Sequence, residues 1–158
     1  MRVGFGYDVH PLVKGRPLIL GGVEVPYSYG LGGHSDADVL LHAISDALLG
    51  AMAEGDIGKH FPDTDPKYEG ISSKRLLTTV GAKLQEKGFI VSNIDSTLLA
   101  EKPRLSDFIP KMVKEIAEAL DIETIRVNVK ATTSEGLGFV GRGEGIAAFA
   151  VVLVGEAK

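Results

Sequence analysis

Asp8 and His10 stand two residues apart near the start of the chain, in Gly6-Tyr7-Asp8-Val9-His10. In an extended strand, residues at i and i+2 point to the same face, so a carboxylate and an imidazole project side by side. One is a hard oxygen donor and the other a borderline nitrogen donor, a pair that calls for a third ligand and a divalent metal. The chain has four histidines, and His42 is the natural third ligand: it sits one turn inside the first strong helical pattern. Two histidines and one carboxylate leave a coordination position free for substrate. Cysteine is absent, so a metal here must use His, Asp and Glu.

The second chemistry-bearing stretch is the loop from Ala131-Thr132-Thr133-Ser134-Glu135 through Phe139 and Arg142 to Gly145. It offers hydroxyls, glycine N–H groups, an arginine and two carboxylates. Backbone N–H nests and arginine forks hold phosphate oxygens. Glu135 beside those hydroxyls suits a Mg²⁺ that bridges phosphates. The loop is neither a Walker A nor a dinucleotide fingerprint, since it lacks Gly-Lys-[Ser/Thr] and no clear helix follows. His34-Ser35 precedes the first helix, where free N–H groups suit an anion. Asp38 and Asp46 lie one turn either side of His42; either could orient its ring, or both could be solvated.

The elements that must position these groups follow from periodicity. Arg2 to Leu12 reads as a strand, and Gly21-Gly22 links two short strands as a hairpin. Gly30 to Gly33 reads as a loop. Ser35-Asp36-Ala37-Asp38 is a partial capping box before a helix carrying Val39, Leu40, Ala43, Ile44, Ala47, Leu48 and Ala51. Gly55 to Gly70 reads as loop. A second helix starts near Ser72 or Ser73 and stops at Gly88; a third has Pro110 in its first turn. Phe89 to Ala100 and Ile125 to Lys130 read as strands. Ile146 to Val154, apolar throughout, reads as a central strand covered on both faces. The expected fold is therefore α/β: a four-stranded mixed sheet with helices on one face and a small N-terminal hairpin, in one domain spanning 1–158.

With 44% hydrophobic residues and a net charge of −4, the chain can build a core and shows no nucleic-acid signature. No apolar run approaches a membrane span, and a cytoplasmic setting is expected.

Several motifs recur in order. They are Gly6-x-Asp8-x-His10, His34-Ser35-Asp36-x-Asp38-x-x-x-His42, Gly55-Asp56-Ile57-Gly58, Phe61-Pro62-Asp63-Thr64-Asp65-Pro66, Asn128-Val129-Lys130-Ala131-Thr132-Thr133 and Gly138-Phe139-x-Gly141-Arg142-Gly143-Glu144-Gly145. Together, over essentially the whole chain, they resemble the 2-C-methyl-D-erythritol 2,4-cyclodiphosphate synthases of non-mevalonate isoprenoid biosynthesis. The resemblance implies a homotrimeric phosphorus–oxygen lyase with sites between subunits. It would act on 4-diphosphocytidyl-2-C-methyl-D-erythritol 2-phosphate and release CMP. Asp8, His10 and His42 match zinc ligands, and Glu135 matches the residue serving a second, Mg²⁺- or Mn²⁺-type ion. His34 and Thr133 match groups near the transferring phosphate. Asp56 and Gly58 match positions holding the methylerythritol hydroxyls, with Asp63, Ile57, Phe61 and Ser35 expected around them. Ala100, Pro103, Arg104, Leu105 and Ser106, with Thr132 and Thr133, match the cytidine pocket. Ser134 and Phe139 belong to the same loop, and Arg142 matches a residue near the subunit junction. The resemblance also leaves room for an isoprenoid diphosphate in a cavity on the three-fold axis.

Two departures stand out. Tyr7 replaces a Phe found in some members at that cavity's mouth, and Glu101-Lys102-Pro103-Arg104 differs from the Gln-x-Pro-Lys form of the cytidine loop. Two rival classes are a non-haem Fe(II) oxygenase, which also uses two His and a carboxylate, and a non-catalytic nucleotide-binding module. A hydroxyl-rich glycine loop serves phosphate better than a keto acid, and a mere nucleotide binder has no need of Asp8 and His10.

Overall fold

The computed structural model describes residues 1–157. Its centre is a five-stranded mixed sheet in the order β4-β1-β7-β5-β6, with strands β1 (Arg2–Lys14), β4 (Tyr29–Leu31), β5 (Phe89–Leu99), β6 (Val127–Thr132) and β7 (Gly145–Glu156). Only β5 and β6 run parallel. A separate hairpin pairs β2 (Leu18–Leu20) with β3 (Val23–Val25). Gly21 and Gly22 turn it with φ of 59° and 76°, the left-handed pair a tight two-residue hairpin needs.

The expected mixed sheet is present, but it has five strands rather than four. The first half of the stretch read as a loop at 30–33 is strand: Tyr29, Gly30 and Leu31 pair with Lys14, Val13 and Leu12 of β1, which makes β4. That strand is too short and glycine-rich to carry an alternation signal. The first strand likewise runs past Leu12 to Lys14; Pro11 within it costs one N–H at a position where its carbonyl still accepts from Gly32 N at 2.9 Å.

Helix α1 (Val39–Ala51) lies across β1 and β7. It is buried on almost every side, and only His42, Asp46 and Gly50 escape burial. Its N-cap is Asp38, not Ser35. The fully buried Asp38 carboxylate accepts from Leu41 N at 3.1 Å, Gly21 N at 2.9 Å and Gly22 N at 2.7 Å, fastening the β2–β3 hairpin to the helix start. Burial pushes its carboxyl up to about 6, against those three donors.

The close approach of α1 to β1 rests on two glycines. A Cβ on Gly4 would stand 1.8 Å from Ala47 O, and one on Gly6 would stand 1.9 Å from Ala43 O. With no side chain at either position, the helix backbone sits directly on the strand. The residues facing α1 are then 4, 6, 8 and 10, so the same alternation that admits the helix aims Asp8 and His10 beneath it.

The short helix α2 (Ile57–His60) and a 3-10 turn at Pro66–Tyr68 interrupt the expected 55–70 loop. Helices α3 (Ser73–Glu86) and α4 (Ile109–Leu120) complete the layer on the α1 side, and α5 (Gly138–Gly141) shortens the expected 132–145 loop. Among the described residues no helix is long and apolar enough to cross a membrane.

The last strand is central, as its composition suggested, but within one chain it is not covered on both faces. Ile146, Ala148, Ala150 and Val152 are buried, while Phe149 and Val151 stay exposed. Val3, Phe5, Tyr7 and Val9 of β1 are exposed on that face as well. Phe149 stacks obliquely with Tyr7 at 5.0 Å and Phe5 at 6.1 Å between ring centroids.

Candidate active site

Three side chains converge where α1 crosses β1. Asp8 Oδ2 lies 2.9 Å from His10 Nε2 and 3.0 Å from His42 Nδ1, and the two nitrogens are 3.2 Å apart. Ligands at about 2.0–2.1 Å from a tetrahedral zinc stand roughly 3.3 Å from one another. The observed triangle is that of one face of such a site, slightly contracted. Among the described residues it is the one cluster of three such side chains able to share an ion.

The electrostatics agree. His10 Nδ1 donates to Gly32 O at 2.9 Å, since a carbonyl can only accept, which leaves Nε2 to face Asp8. Burial opposes the charged form of Asp8, but its hydrogen bonds and charge contacts with His10 and His42 outweigh that and hold its carboxyl at about 2. Burial works against a charged His10 too, yet the Asp8 carboxylate beside it raises the imidazole above its ordinary value. The cluster attracts a cation, whether proton or metal.

The triangle opens into a pocket of about 420 Å³. His34, Ser35, Ile57, Gly58, Phe61 and Asp63, all expected around the substrate, line it together with Asp8, His10 and His42. Asp56 does not: its carboxylate caps α2 by accepting from Lys59 N at 2.9 Å. His34 Nε2 reaches Asp65 O at 3.3 Å.

A second pocket of about 420 Å³ holds the expected cytidine residues Ala100, Pro103, Arg104, Leu105, Ser106, Thr132 and Thr133. The two pockets share no residue. Thr133, expected beside the transferring phosphate, therefore stands apart from His34 within one chain. Glu135 lines neither pocket; it is exposed, with a left-handed φ of 54° that lets its N–H reach Thr133 Oγ1 at 3.3 Å. Ser134 and Phe139 line a third, smaller pocket with Tyr7 and Phe149. Arg142 lines another with Leu12 and Tyr27, and forks onto Glu144 at 2.8 and 3.1 Å.

Neither aspartate flanking His42 orients its ring. Asp38 is spent on the helix cap, and Asp46 Oδ1 accepts from Ile57 N at 3.0 Å, fastening α2 to α1. The ring instead meets Ser73 Oγ at 2.8 Å and Ser35 Oγ at 3.2 Å, both through Nε2. Ser73 gave no sequence signal, because it reads as one of two interchangeable serines at a helix start. Arg16 was missed as well. Its guanidinium donates to Gly33 O at 2.7 Å and Ser35 O at 2.6 Å, holding the backbone on both sides of His34. Glu101 was seen only as a departure in the cytidine loop; its carboxylate accepts from Ser134 N at 2.7 Å and ties that loop to the glycine-rich one.

A mixed α/β sheet whose face carries an Asp-His-His cation site beside a pocket defines a metal-binding enzyme class, and comparison with known proteins narrows it. The YgbB family model matches residues 1–155, and the chain belongs to that family, many members of which are named 2-C-methyl-D-erythritol 2,4-cyclodiphosphate synthase. The synthase of that name from Alkaliphilus metalliredigens is 64% identical over 156 residues, covering 99% of this chain and 98% of the relative. Among solved structures, the CDP complex of Plasmodium falciparum IspF superposes with a TM-score of 0.87 at 31% identity, covering 99% of this chain and 97% of that one. The bifunctional IspDF of Campylobacter jejuni superposes with a TM-score of 0.95 at 46% identity; there this chain covers only 42% of the larger protein, and 98% of itself. Neither the oxygenase nor the non-catalytic module is favoured by these relatives.

Proposed function

We propose that this chain converts 4-diphosphocytidyl-2-C-methyl-D-erythritol 2-phosphate into 2-C-methyl-D-erythritol 2,4-cyclodiphosphate and CMP, as a cytosolic homotrimer. The observation that carries this reading is the Asp8–His10–His42 triangle opening onto a pocket beside His34, in a chain of this family. An oxygen of the substrate's 2-phosphate forms a bond to the β-phosphorus, the bond from that phosphorus to the α-phosphate oxygen breaks, and CMP leaves with the electron pair. Nucleophile and electrophile belong to one molecule, so the protein supplies folding of the substrate and management of charge. When bound, a zinc ion at Asp8, His10 and His42 and a Mg²⁺ or Mn²⁺ ion at Glu135 supply Lewis-acid polarisation of the diphosphate oxygens.

The chain's own groups do the rest. His34 and Thr133 donate hydrogen bonds to the transferring phosphate, each contributing about 2–4 kcal/mol if aimed at the developing charge. Gly58 and Asp63, with Ile57, Phe61 and Ser35, hold the methylerythritol, and Asp56 serves them by capping the short helix that carries Ile57 and Gly58. Ala100 to Ser106 with Thr132 hold the cytidine, flanked by Ser134 and Phe139, and Arg142 stands near the subunit junction. The separation of the two pockets within one chain supports a site completed by a neighbour. So does the exposed apolar face of β1 and β7, which a second copy would cover. An axial cavity enclosed by this face would leave room for an isoprenoid diphosphate.

The test is stoichiometric CMP release from the cytidylylated substrate by metal-loaded protein. Failure of fully loaded protein to release CMP overturns the assignment.

A further inference from the structure

A histidine that gives Nδ1 to a metal must place its other nitrogen's proton somewhere, and for His42 that place is specific. Nε2 lies 2.8 Å from the hydroxyl of Ser73, which is fully buried as the first residue of α3 and 31 positions away in sequence. Ser73 is not the cap of its helix; Ser72 occupies that position. Its hydroxyl is turned inward to Asp36. The Ser73 hydroxyl donates to Asp36 Oδ1, and Ser73 N donates to Asp36 Oδ2 at 3.0 Å. Asp36 is itself held, its N–H donating to Ile71 O at 3.1 Å and its Oδ1 accepting from Asp38 N at 3.2 Å.

The hydrogen-bond count leaves little freedom. A carboxylate only accepts, and a serine hydroxyl has one proton. With that proton committed to Asp36, Ser73 Oγ presents only lone pairs to His42. We propose that Asp36 and Ser73 are positioning residues that fix His42 with its proton on Nε2, so that the Nδ1 lone pair is aimed at the point shared with Asp8 and His10. His10 reaches the same end by the opposite nitrogen, with its proton on Nδ1 given to Gly32 O. The two imidazoles thus present different nitrogens, each set by its own outer partner.

Ser73 lies in the chain between two residues of the pocket wall, Ile71 and Leu76. The segment carrying Phe61, Asp63, Tyr68 and Ile71 lines the pocket and runs directly into Ser73, and Gly70 N donates to His34 O at 2.9 Å. A shift of that segment reaches the metal ligand through one hydrogen bond.

The inference rests on the proposed metal site, and the experiment separates the two. Zinc affinity is measured by chelator competition for the parent, Ser73→Ala and Asp36→Asn, and the His42 ring is followed by long-range ¹H–¹⁵N NMR in zinc-loaded and metal-free protein. Ser73→Ala leaves Ser35 Oγ, 3.2 Å from Nε2, as a substitute acceptor, so affinity should fall about tenfold and the Nε2 proton should exchange faster. Asp36→Asn places an amide donor against Ser73, freeing its hydroxyl to donate to Nε2. The imidazole proton then moves to Nδ1, and affinity should fall towards 100-fold. Unchanged affinity in both variants, or a His42 proton on Nδ1 in the metal-free parent, overturns the proposal. A parent that binds no zinc yet keeps the Nε2 proton in NMR overturns the metal reading and leaves the orientation of His42 by Asp36 and Ser73 supported.

Discussion

Asp8 and His10 hold opposite ends of one interaction, and its pH dependence follows from the direction of each shift. His10 is raised above its unfolded value, so the stability it brings is fully present below about 6.5 and fades as pH rises through the folded value. Asp8 is held at about 2, so its contribution is present above the unfolded carboxylate value of about 3.9 and is lost as pH falls towards 2. The metal-free protein should therefore melt highest between about pH 4 and 6.5 as far as this pair is concerned. Zinc replaces the proton, so zinc affinity should climb with pH across the same upper range. Thermal unfolding with and without zinc over pH 4–9 reads both effects; a metal-free protein that gains stability above pH 7 through this pair would contradict them. Single substitutions divide the labour of the two proposed ions. His42→Ala should abolish both zinc binding and turnover. Glu135→Gln should lower turnover while zinc stays bound, and loss of zinc in that variant, by metal analysis, would undo the division.

Among the elements, the packing of α1 on β1 decides whether the site exists. Gly6→Ala places a methyl carbon 1.9 Å from the Ala43 carbonyl oxygen, a contact only backbone movement can relieve. Overpacking of this kind costs about 1–3 kcal/mol. Here it should also lift His42 away from Asp8 and His10, so zinc affinity should fall more than the melting temperature alone explains. Gly50→Ala, whose Cβ would come no nearer than 4.0 Å to Phe5 O, is the control and should leave both nearly unchanged. The sequence made much of this legible. Alternation in β1 put Asp8 and His10 on one face, and helical spacing put His42 within reach. It could not reveal that Gly4 and Gly6 are the contact surface, because a glycine in a strand reads equally as weakness. Nor could it find β4, three residues whose pairing is decided by a partner rather than by a pattern. Ser73 was invisible for a related reason: its role is set by a contact across 31 residues, not by its neighbours.

At the scale of the whole molecule, one face of the sheet is finished and the other is not. The α1 side is packed with fully buried Leu40, Ile44, Leu48 and Ile94, whereas Phe5 remains 60% exposed on the opposite face. An aromatic stripe of this kind is expensive to leave in water, and covering each such side chain contributes about 1.5–3 kcal/mol. Phe5→Glu should convert the proposed trimer into monomers in sedimentation, with CMP release lost. Zinc binding should survive, because Asp8, His10 and His42, the proposed ligands, come from β1 and α1 of one chain. A parent that sediments as a monomer at micromolar concentration would remove the basis of the prediction.

The division of the expected substrate contacts between two pockets without a common residue has a genetic consequence. If each working site joins the metal pocket of one chain to the nucleotide pocket of the next, two dead chains can repair one another. His42→Ala protein lacks the first half and Thr133→Ala protein damages the second. Unfolded and refolded together in equal amounts, they should assemble mixed rings in which about a quarter of the junctions unite two intact halves. Activity should then return to roughly that fraction of the parent's, although neither protein is active alone. Two such alleles in one cell would complement, and the stronger the complementation, the more completely each site is shared.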